Sequence, residues 1–170
     1  MSDSLKHTLR MWRRGIRGRL TRRLLGARGR AVVVHTAQGV FAVAPEDQGV
    51  GGELLRAGRY GEEELKRLAG ELTADSSLLV VGAHIGALVV PLSSLCRNIT
   101  AIEPNPDSYE LLKLNLAINS ISNCETHNIA AGERAGELEF LLSRANSGGS
   151  KIVPRTRRWD YYYDKPEKIR

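Results

Sequence analysis

The 170 residues predict an α/β fold built on a parallel β-sheet. From Asp75 onward, short apolar runs alternate with helical patterns, which is the arrangement that produces strand–helix–strand units. The run Leu78–Val81 contains no polar residue, as is typical of a strand buried on both faces of a parallel sheet. A tight turn, Gly82–Gly86, follows that strand directly. The length suits a single domain with a substantial core.

The composition excludes several classes of protein. Hydrophobic residues make up 42% of the chain, which is too many for a disordered protein. No apolar run approaches the roughly 18 residues that a membrane-spanning helix needs. Cys96 and Cys124 lie far apart and lack metal-ligand spacing, so we expect neither a disulfide scaffold nor a metal site. We therefore expect a reducing compartment, the cytoplasm.

The positive charge is concentrated at the N-terminus. Residues 1–30 carry a formal charge of +9 and one acid, Asp3, whereas the whole chain carries +6, so residues 31–170 carry −3. We divide the chain into a basic N-terminal segment, 1–30, and a domain, 31–170, and expect no nucleic-acid-binding field over the whole protein. The basic residues of the segment are Lys6, Arg10, Arg13, Arg14, Arg17, Arg19, Arg22, Arg23, Arg28 and Arg30.

Apolar residues recur at helical spacing over residues 5–25, which predicts an amphipathic helix. This helix either caps the domain and leaves its arginines in water, or contacts an anionic partner, either membrane lipid or RNA. An arginine-rich, acid-poor helix also resembles an organellar transit peptide. The apolar positions are Leu5, Leu9, Trp12, Ile16, Leu20 and Leu24.

The next elements precede the alternating part of the chain. Two short β-runs, Ala31–Thr36 and Val40–Ala44, flank Ala37–Gly39 and predict a hairpin. A helix is expected over 61–72, because three glutamates open it, where the positive end of the helix dipole favours acids. Its apolar face consists of Leu65, Leu68 and Leu72.

The alternating part predicts further strands and helices after the glycine turn. A helix over Ala87–Cys96 leads to a second strand, Ile99–Glu103. Asn105 is a suitable N-cap, and Pro106 fits the first position of a helix that ends near Asn119. We expect two more strands, Cys124–Ile129 and Glu137–Leu142.

One combination of residues points to chemistry: the glycine turn after a buried strand, with Glu103 at the tip of the next strand. A glycine turn lets the backbone approach a ligand closely, and an acid at that position is placed to accept hydrogen bonds from ribose hydroxyls. A dinucleotide would need a small residue where His84 stands, and no phosphate-binding GK[ST] sequence follows. S-adenosylmethionine (SAM) has no phosphate, so the pattern favours SAM as the cofactor.

Three stretches, VVGAHIGALVVPL, AIEPNPDSYELLKLNLAIN and THNIAAGERAGELEFLL, resemble the first half of the FkbM-type methyltransferases, a class I SAM-dependent family. The resemblance implies a Rossmann-like fold with the first three parallel strands, preceded by the hairpin and a helix. It implies transfer of methyl to a hydroxyl of a small molecule or glycan. The cofactor-binding residues that it implies are Gly82, Ala83, His84 and Gly86 for methionine, Glu103 for ribose with Pro104 next to it, and Asn128 and Ala130 near adenine.

The chain departs from the family pattern at three points. Val80 stands where the family usually has an acid, and His84 stands where it usually has asparagine. The family continues into a strand that ends in an Asp-x-Glu-Gly-like motif, which does not occur here. We therefore expect the cofactor-binding half of an enzyme, inactive alone, with no assignable catalytic residue and a sheet edge open to self-association. The alternatives are a SAM- or nucleotide-binding module without turnover, and an interaction protein that docks through its basic helix.

Other candidate residues have simpler interpretations. His35 and His127 lie in or beside predicted strands and are expected to be structural. The aromatic cluster Trp159–Tyr163 lies among arginines and is interpreted as a lid or docking segment, or as a surface that stacks on nucleic acid.

Overall fold

The computed structural model describes residues 16, 20–21, 23–26, 28–143, 147–153 and 167–169. Of the helix predicted over 5–25, the described residues 16, 20–21 and 23–25 are helical, and the rest lies outside the described part. The cluster Trp159–Tyr163 lies outside it as well. No helix in the part of the chain described here is long and apolar enough to cross a membrane.

The predicted hairpin is confirmed. Strands β1 (Val32–Thr36) and β2 (Gly39–Val43) pair in antiparallel register, with Val34 opposite Phe41. In β1, exposed and partly buried side chains alternate, as expected for a strand with one covered face. The end of β2 lies deep in the domain, because Phe41 is fully buried.

Two helices follow the hairpin. Helix α1 (Val50–Ala57) was not predicted, because Gly51 and Gly52 lower the helix propensity of its first turn. Helix α2 (Glu62–Glu71) confirms the helix expected over 61–72. It begins with three glutamates, whose negative charges are favourable at the positive end of the helix dipole.

The centre of the fold is a three-stranded parallel sheet in the order β3-β4-β5. The strands are β3 (Ser77–Val81), β4 (Asn98–Ile102) and β5 (Cys124–His127). All three were predicted, with boundaries that differ by one or two residues. Because helices connect the strands, the chain has the expected α/β, Rossmann-like fold. Strand β3 lies at one edge of the described sheet.

The connections between these strands are helical. After the glycine turn, helix α3 (Val89–Leu92) and a 3₁₀ turn (Ser93–Leu95) occupy the place of the longer helix expected over Ala87–Cys96. Helix α4 (Pro106–Ile118) agrees with the prediction. Asn105 caps it as expected, since its side chain accepts a hydrogen bond from the Asp107 N–H at 3.0 Å.

The two faces of the parallel sheet differ in burial. One face packs against α3 and α4 through a core that contains Ile99, Ala101 and Leu112. The other face carries Leu79 and Val81, which are 60% and 58% exposed. The prediction that this strand is buried on both faces is therefore wrong, because described residues cover only one face.

The last strands form a separate antiparallel sheet. Strand β6 (Leu138–Leu141) lies between β7 (Lys151–Ile152) and β8 (Glu167–Ile169). The strand expected over Glu137–Leu142 therefore exists, but it does not extend the parallel sheet. Phe140 and Leu142 form a small core of their own.

Two asparagines join the hairpin to the domain. The Asn115 side chain accepts from the Ala42 N–H at 2.6 Å and donates to the Ala42 carbonyl at 3.2 Å. One helical turn later, Asn119 makes the same pair of bonds to Val40, at 2.9 and 2.7 Å. One side chain of α4 and one from the residue that caps its end thus occupy the free edge of β2, as a neighbouring strand would.

Candidate functional site

The glycine turn lies at the carboxyl end of β3 and is fastened to the end of β4. The N–H groups of Gly82 and Ala83 both donate to the carbonyl of Ile102, at 2.8 and 2.9 Å. Gly82 has φ of +79°, a conformation that favours glycine, and a Cβ atom there would meet nothing within 4 Å. The space in front of Gly82 is thus open to a ligand.

His84 and Glu103 connect the turn to the neighbouring strand. The His84 N–H donates to Oε2 of Glu103 at 2.7 Å, and the Asn105 N–H donates to Oε1 at 2.9 Å. Glu103 is only 5% exposed. Burial raises the pKa of its carboxyl, and the two N–H donors partly offset that increase. The carboxylate therefore joins the turn to the start of α4.

His84 has an unusual backbone conformation and a buried side chain. Its φ of +53° is rare for a residue with a side chain, although histidine tolerates it better than most. Nε2 lies 2.7 Å from Oγ of Ser147, whereas the buried Nδ1 has no hydrogen-bond partner among the described residues. Burial lowers the pKa of the imidazole, and the negative charge of Asp47 opposes this. The ring therefore favours its neutral form.

Asp47 links the turn to α1. Its carboxylate accepts from the N–H groups of Gly49 and Gly51, at 2.8 and 2.9 Å, and so fixes the start of the helix. The Ser147 N–H donates to the same carboxylate at 3.4 Å. Neither Asp47 nor Ser147 is among the residues predicted from the sequence. The stretch PEDQG contains an Asx-turn signal that could have identified Asp47, but nothing near Ser147 indicates a contact with Asp47, 100 positions away.

Residues 147–150 form a strap beside the site. Besides the contacts of Ser147, Oγ of Ser150 accepts from the Ser143 N–H at 3.1 Å and from Nδ2 of Asn105 at 3.4 Å. These bonds hold the strap against the turn and the start of α4. Ser147 thus lies beside His84 at the turn.

Two of the predicted turn residues serve packing. Ala83 is buried in the core on the covered face of the sheet, so only its backbone is available to a ligand. Gly86 has φ of +85°, and a Cβ atom there would lie 2.9 Å from Cδ1 of Leu112. Glycine is required at this position by the close approach of α4.

Asn128 joins the site and Ala130 does not. Nδ2 of Asn128 donates to the carbonyls of Glu103 and Pro104, at 2.8 and 3.2 Å, which ties the end of β5 to the end of β4. Ala130 packs against Phe140 and its neighbours in the second sheet. The predicted residues Glu103, Pro104 and Asn128 thus lie together.

Val80 explains why the missing acid cannot simply be restored. Its side chain packs on the covered face of the sheet, against the core that contains Ile99 and Ala101. A carboxylate at this position would be desolvated, which would lower the stability of the fold.

The thiols and the other polar residues do not form a second reactive site in the described part of the chain. Both cysteines are free, and burial raises their pKa, that of Cys124 to about 11. Such thiols are poor nucleophiles near neutral pH. Among the described residues, no three His, Cys, Asp or Glu side chains are grouped to hold a metal ion.

Comparison with known proteins yields similarity of structure only. No family model and no curated protein matches the sequence, so the FkbM-type resemblance stays a prediction. Similar solved structures include TYW2 of M. jannaschii in complex with AdoMet, which is 22% identical with a TM-score of 0.47, over 68% of this chain and 49% of that one. TYW2 of P. horikoshii in complex with MeSAdo is 18% identical with a TM-score of 0.48, over 66% and 41%.

An rRNA methylase from Streptococcus thermophilus is also similar, with 18% identity and a TM-score of 0.39, over 40% of this chain and 41% of that one. The matched part of this chain thus spans less than half the length of each of the three structures. At these identities the likeness concerns the fold alone. The α/β assignment rests on the sheet order and strand register described above.

Proposed function

We propose that the site at the ends of β3 and β4 binds SAM, and that the chain is the cofactor-binding part of a SAM-dependent methyltransferase. The observation that carries the proposal is the open glycine turn, held by its backbone to the acid that follows the adjacent strand. Sheets of this kind bind ligands outside the carboxyl ends of their strands.

Gly82 provides the surface for the cofactor. Its Cβ position is empty, so the backbone can approach a ligand that a larger side chain would exclude. The methionine part of SAM fits this role, because it needs close contact with the backbone and brings no phosphate.

Glu103 would receive the ribose hydroxyls. Each of its carboxylate oxygens accepts one N–H bond, which leaves capacity on each oxygen for a hydroxyl donor. The bonds to His84 and Asn105 fix the orientation of the carboxylate in advance, so little is lost in ordering it when the ribose binds.

His84 would contribute one further polar contact. Nδ1 is buried without a partner among the described residues, which is costly unless a ligand satisfies it. In the tautomer in which Nε2 accepts from Ser147, Nδ1 carries the hydrogen and would donate to a carboxylate such as that of methionine.

The reaction itself needs positioning more than acid or base chemistry. SAM would supply a methyl group on a positively charged sulfur. An aligned acceptor would attack that carbon, S-adenosylhomocysteine would leave as a neutral thioether, and the acceptor's proton would pass to solvent. Asp47 and Glu103 both hold backbone N–H groups, and Glu103 would also hold the ribose, so neither is assigned as a base. This observation favours a second candidate, a SAM-binding module without turnover.

Calorimetry with SAM tests the proposal, with NAD as the comparison ligand. We expect heat from SAM and S-adenosylhomocysteine and none from NAD. Gly82→Ala should abolish the SAM signal, because the new methyl group occupies the space for the cofactor. Gly58→Ala is the matched control, since Gly58 has the same kind of φ, +64°, and equally open surroundings at the end of α1.

Binding that survives Gly82→Ala, or equal binding of SAM and NAD, would contradict the cofactor assignment. A labelled-methyl assay then separates the two candidates. The assay offers hydroxylated metabolites and glycans, the acceptors that the FkbM-type resemblance implies. It also offers RNA, because the name of one similar structure, an rRNA methylase, includes RNA. Labelling of one class identifies the acceptor, whereas SAM binding without labelling supports the binding module.

A further inference from the structure

We infer that the basic segment, residues 1–30, docks the protein on an anionic membrane surface by lying in the lipid headgroup region. The inference is independent of SAM binding. It rests on the exposed apolar side chains of the helical residues, on the charge of the segment, and on the contrast between that charge and the rest of the chain.

Apolar side chains of this segment face solvent. Leu24 is 84% exposed, more than any other large apolar side chain in the described part of the chain, and Leu20 is 54% exposed. Both are helical and belong to the apolar series that begins at Leu5 in the sequence. A helix that capped the domain would bury these leucines, so their exposure favours an external partner.

The charge of the segment specifies that partner as anionic. Ten basic residues and a single acid, Asp3, fall within 30 positions, while residues 31–170 carry −3. Arg23, Arg28 and Arg30 are all exposed. A negative surface would attract the segment and repel the domain weakly, which orients the protein with the segment against the surface.

The apolar series favours lipid over RNA. Phosphate groups of RNA would satisfy the arginines but would leave Leu20 and Leu24 in water. A bilayer interface satisfies both, because it buries leucine and tryptophan at the level of the headgroups while long arginine side chains reach the phosphates. The sequence supplies a tryptophan in the same series, Trp12.

Co-sedimentation of the whole chain with vesicles tests the inference. We expect binding to vesicles of phosphatidylcholine with 30% phosphatidylserine and at least tenfold weaker binding to phosphatidylcholine alone. Leu20→Gln with Leu24→Gln should weaken binding at least tenfold, since each leucine loses its burial in the interface. Arg10→Gln with Arg14→Gln should weaken it roughly 25-fold, about fivefold for each arginine.

Matched substitutions at exposed sites of the domain provide the controls. Leu114→Gln removes an exposed leucine from α4, and Arg97→Gln removes an exposed arginine, and both should leave vesicle binding unchanged. Circular dichroism of every variant should match the parent protein, because all of the substituted leucines are exposed.

Labelled RNA of 20 nucleotides forms the second arm of the experiment. Tighter binding to RNA than to anionic vesicles, with no effect of the two leucine substitutions, would overturn the inference in favour of an RNA-binding segment. Unchanged vesicle binding after the leucine substitutions would overturn it too. Loss of vesicle binding only in the leucine and arginine variants supports it, whatever the calorimetry with SAM shows.

Discussion

The side-chain amide of Asn115 pairs with the backbone of Ala42 through both its oxygen and its nitrogen, at 2.6 and 3.2 Å. Its nitrogen also donates to the Ile85 carbonyl at 2.8 Å, within the glycine turn. Asn115 is fully buried. One side chain of α4 therefore ties the hairpin to the turn that we propose binds SAM.

Asn115→Leu should strongly destabilise the fold. It leaves one N–H and two carbonyl groups without this partner in the core, at about 1–3 kcal/mol for each unsatisfied buried group. We expect the free energy of unfolding in urea to fall by about 3–5 kcal/mol. Asn98→Leu, at an exposed position of β4, is the control and should change stability little. A similarly small effect at Asn115 would show that water replaces the amide.

Glu103→Gln should weaken SAM binding by about 1.5–3 kcal/mol, because a neutral amide replaces a charged acceptor. The amide also turns an NH₂ group toward one of the two backbone donors, so stability should fall as well. Calorimetry measures the affinity, and Glu137→Gln, at an exposed position before β6, controls for the change of charge. Unchanged affinity would remove Glu103 from the ribose site.

The pH dependence of Glu103 supplies an independent signature. Burial raises its pKa above the ordinary 4.5, so the folded protein takes up the proton at a higher pH than the unfolded chain. The contribution of Glu103 to the free energy of unfolding therefore falls as the pH rises from 4.5 through the raised pKa of the folded state. SAM affinity should change in the opposite direction, because only the carboxylate accepts from ribose. Comparing parent and Glu103→Gln across this range isolates the effect.

His84 should make the protein less stable in mild acid. Burial lowers its pKa below 6.5, so the unfolded chain binds a proton first as the pH falls below 6.5, and the folded state loses stability there. His84→Asn removes this dependence, and asparagine tolerates the positive φ. Urea unfolding between pH 5 and 8 should give a flatter curve of stability against pH for His84→Asn than for the parent protein. Parallel curves for parent and His84→Asn would contradict the assignment.

The sequence predicted the elements whose signals are local. The hairpin has alternating apolar residues, α4 has its Asn105 cap, and the glycine turn follows an apolar strand, so each could be recognised from its own residues. Helix α1 was missed because Gly51 and Gly52 weaken the local pattern, and the Asp47 carboxylate that supports its start acts from outside the helix.

The contacts that complete the site are between distant residues. Ser147 reaches His84 across 63 positions, and Asn115 reaches Ala42 across 73. Asparagine and serine have no periodicity that reveals such partners, so only the fold could identify them. The burial of β3 was misjudged for a related reason. A continuous apolar run shows that both faces of a strand are suited to burial. It does not show whether other elements of the fold cover both faces.

The exposed face of the parallel sheet should cause self-association. Leu79 and Val81 lie side by side on it, and β3 has an unpaired edge within the described sheet. A second copy can pair with that edge, and its own exposed face can pack on these side chains, which removes apolar surface from water. Sedimentation velocity should therefore show a sedimentation coefficient that rises with concentration. Leu79→Lys with Val81→Lys should give a monomer at every concentration, since two charges at an open edge oppose pairing. Val33→Lys, at a position of β1 that is 55% exposed, should leave the association unchanged. A parent protein that stays monomeric, or a double variant that associates as the parent does, would show that this face is not the contact.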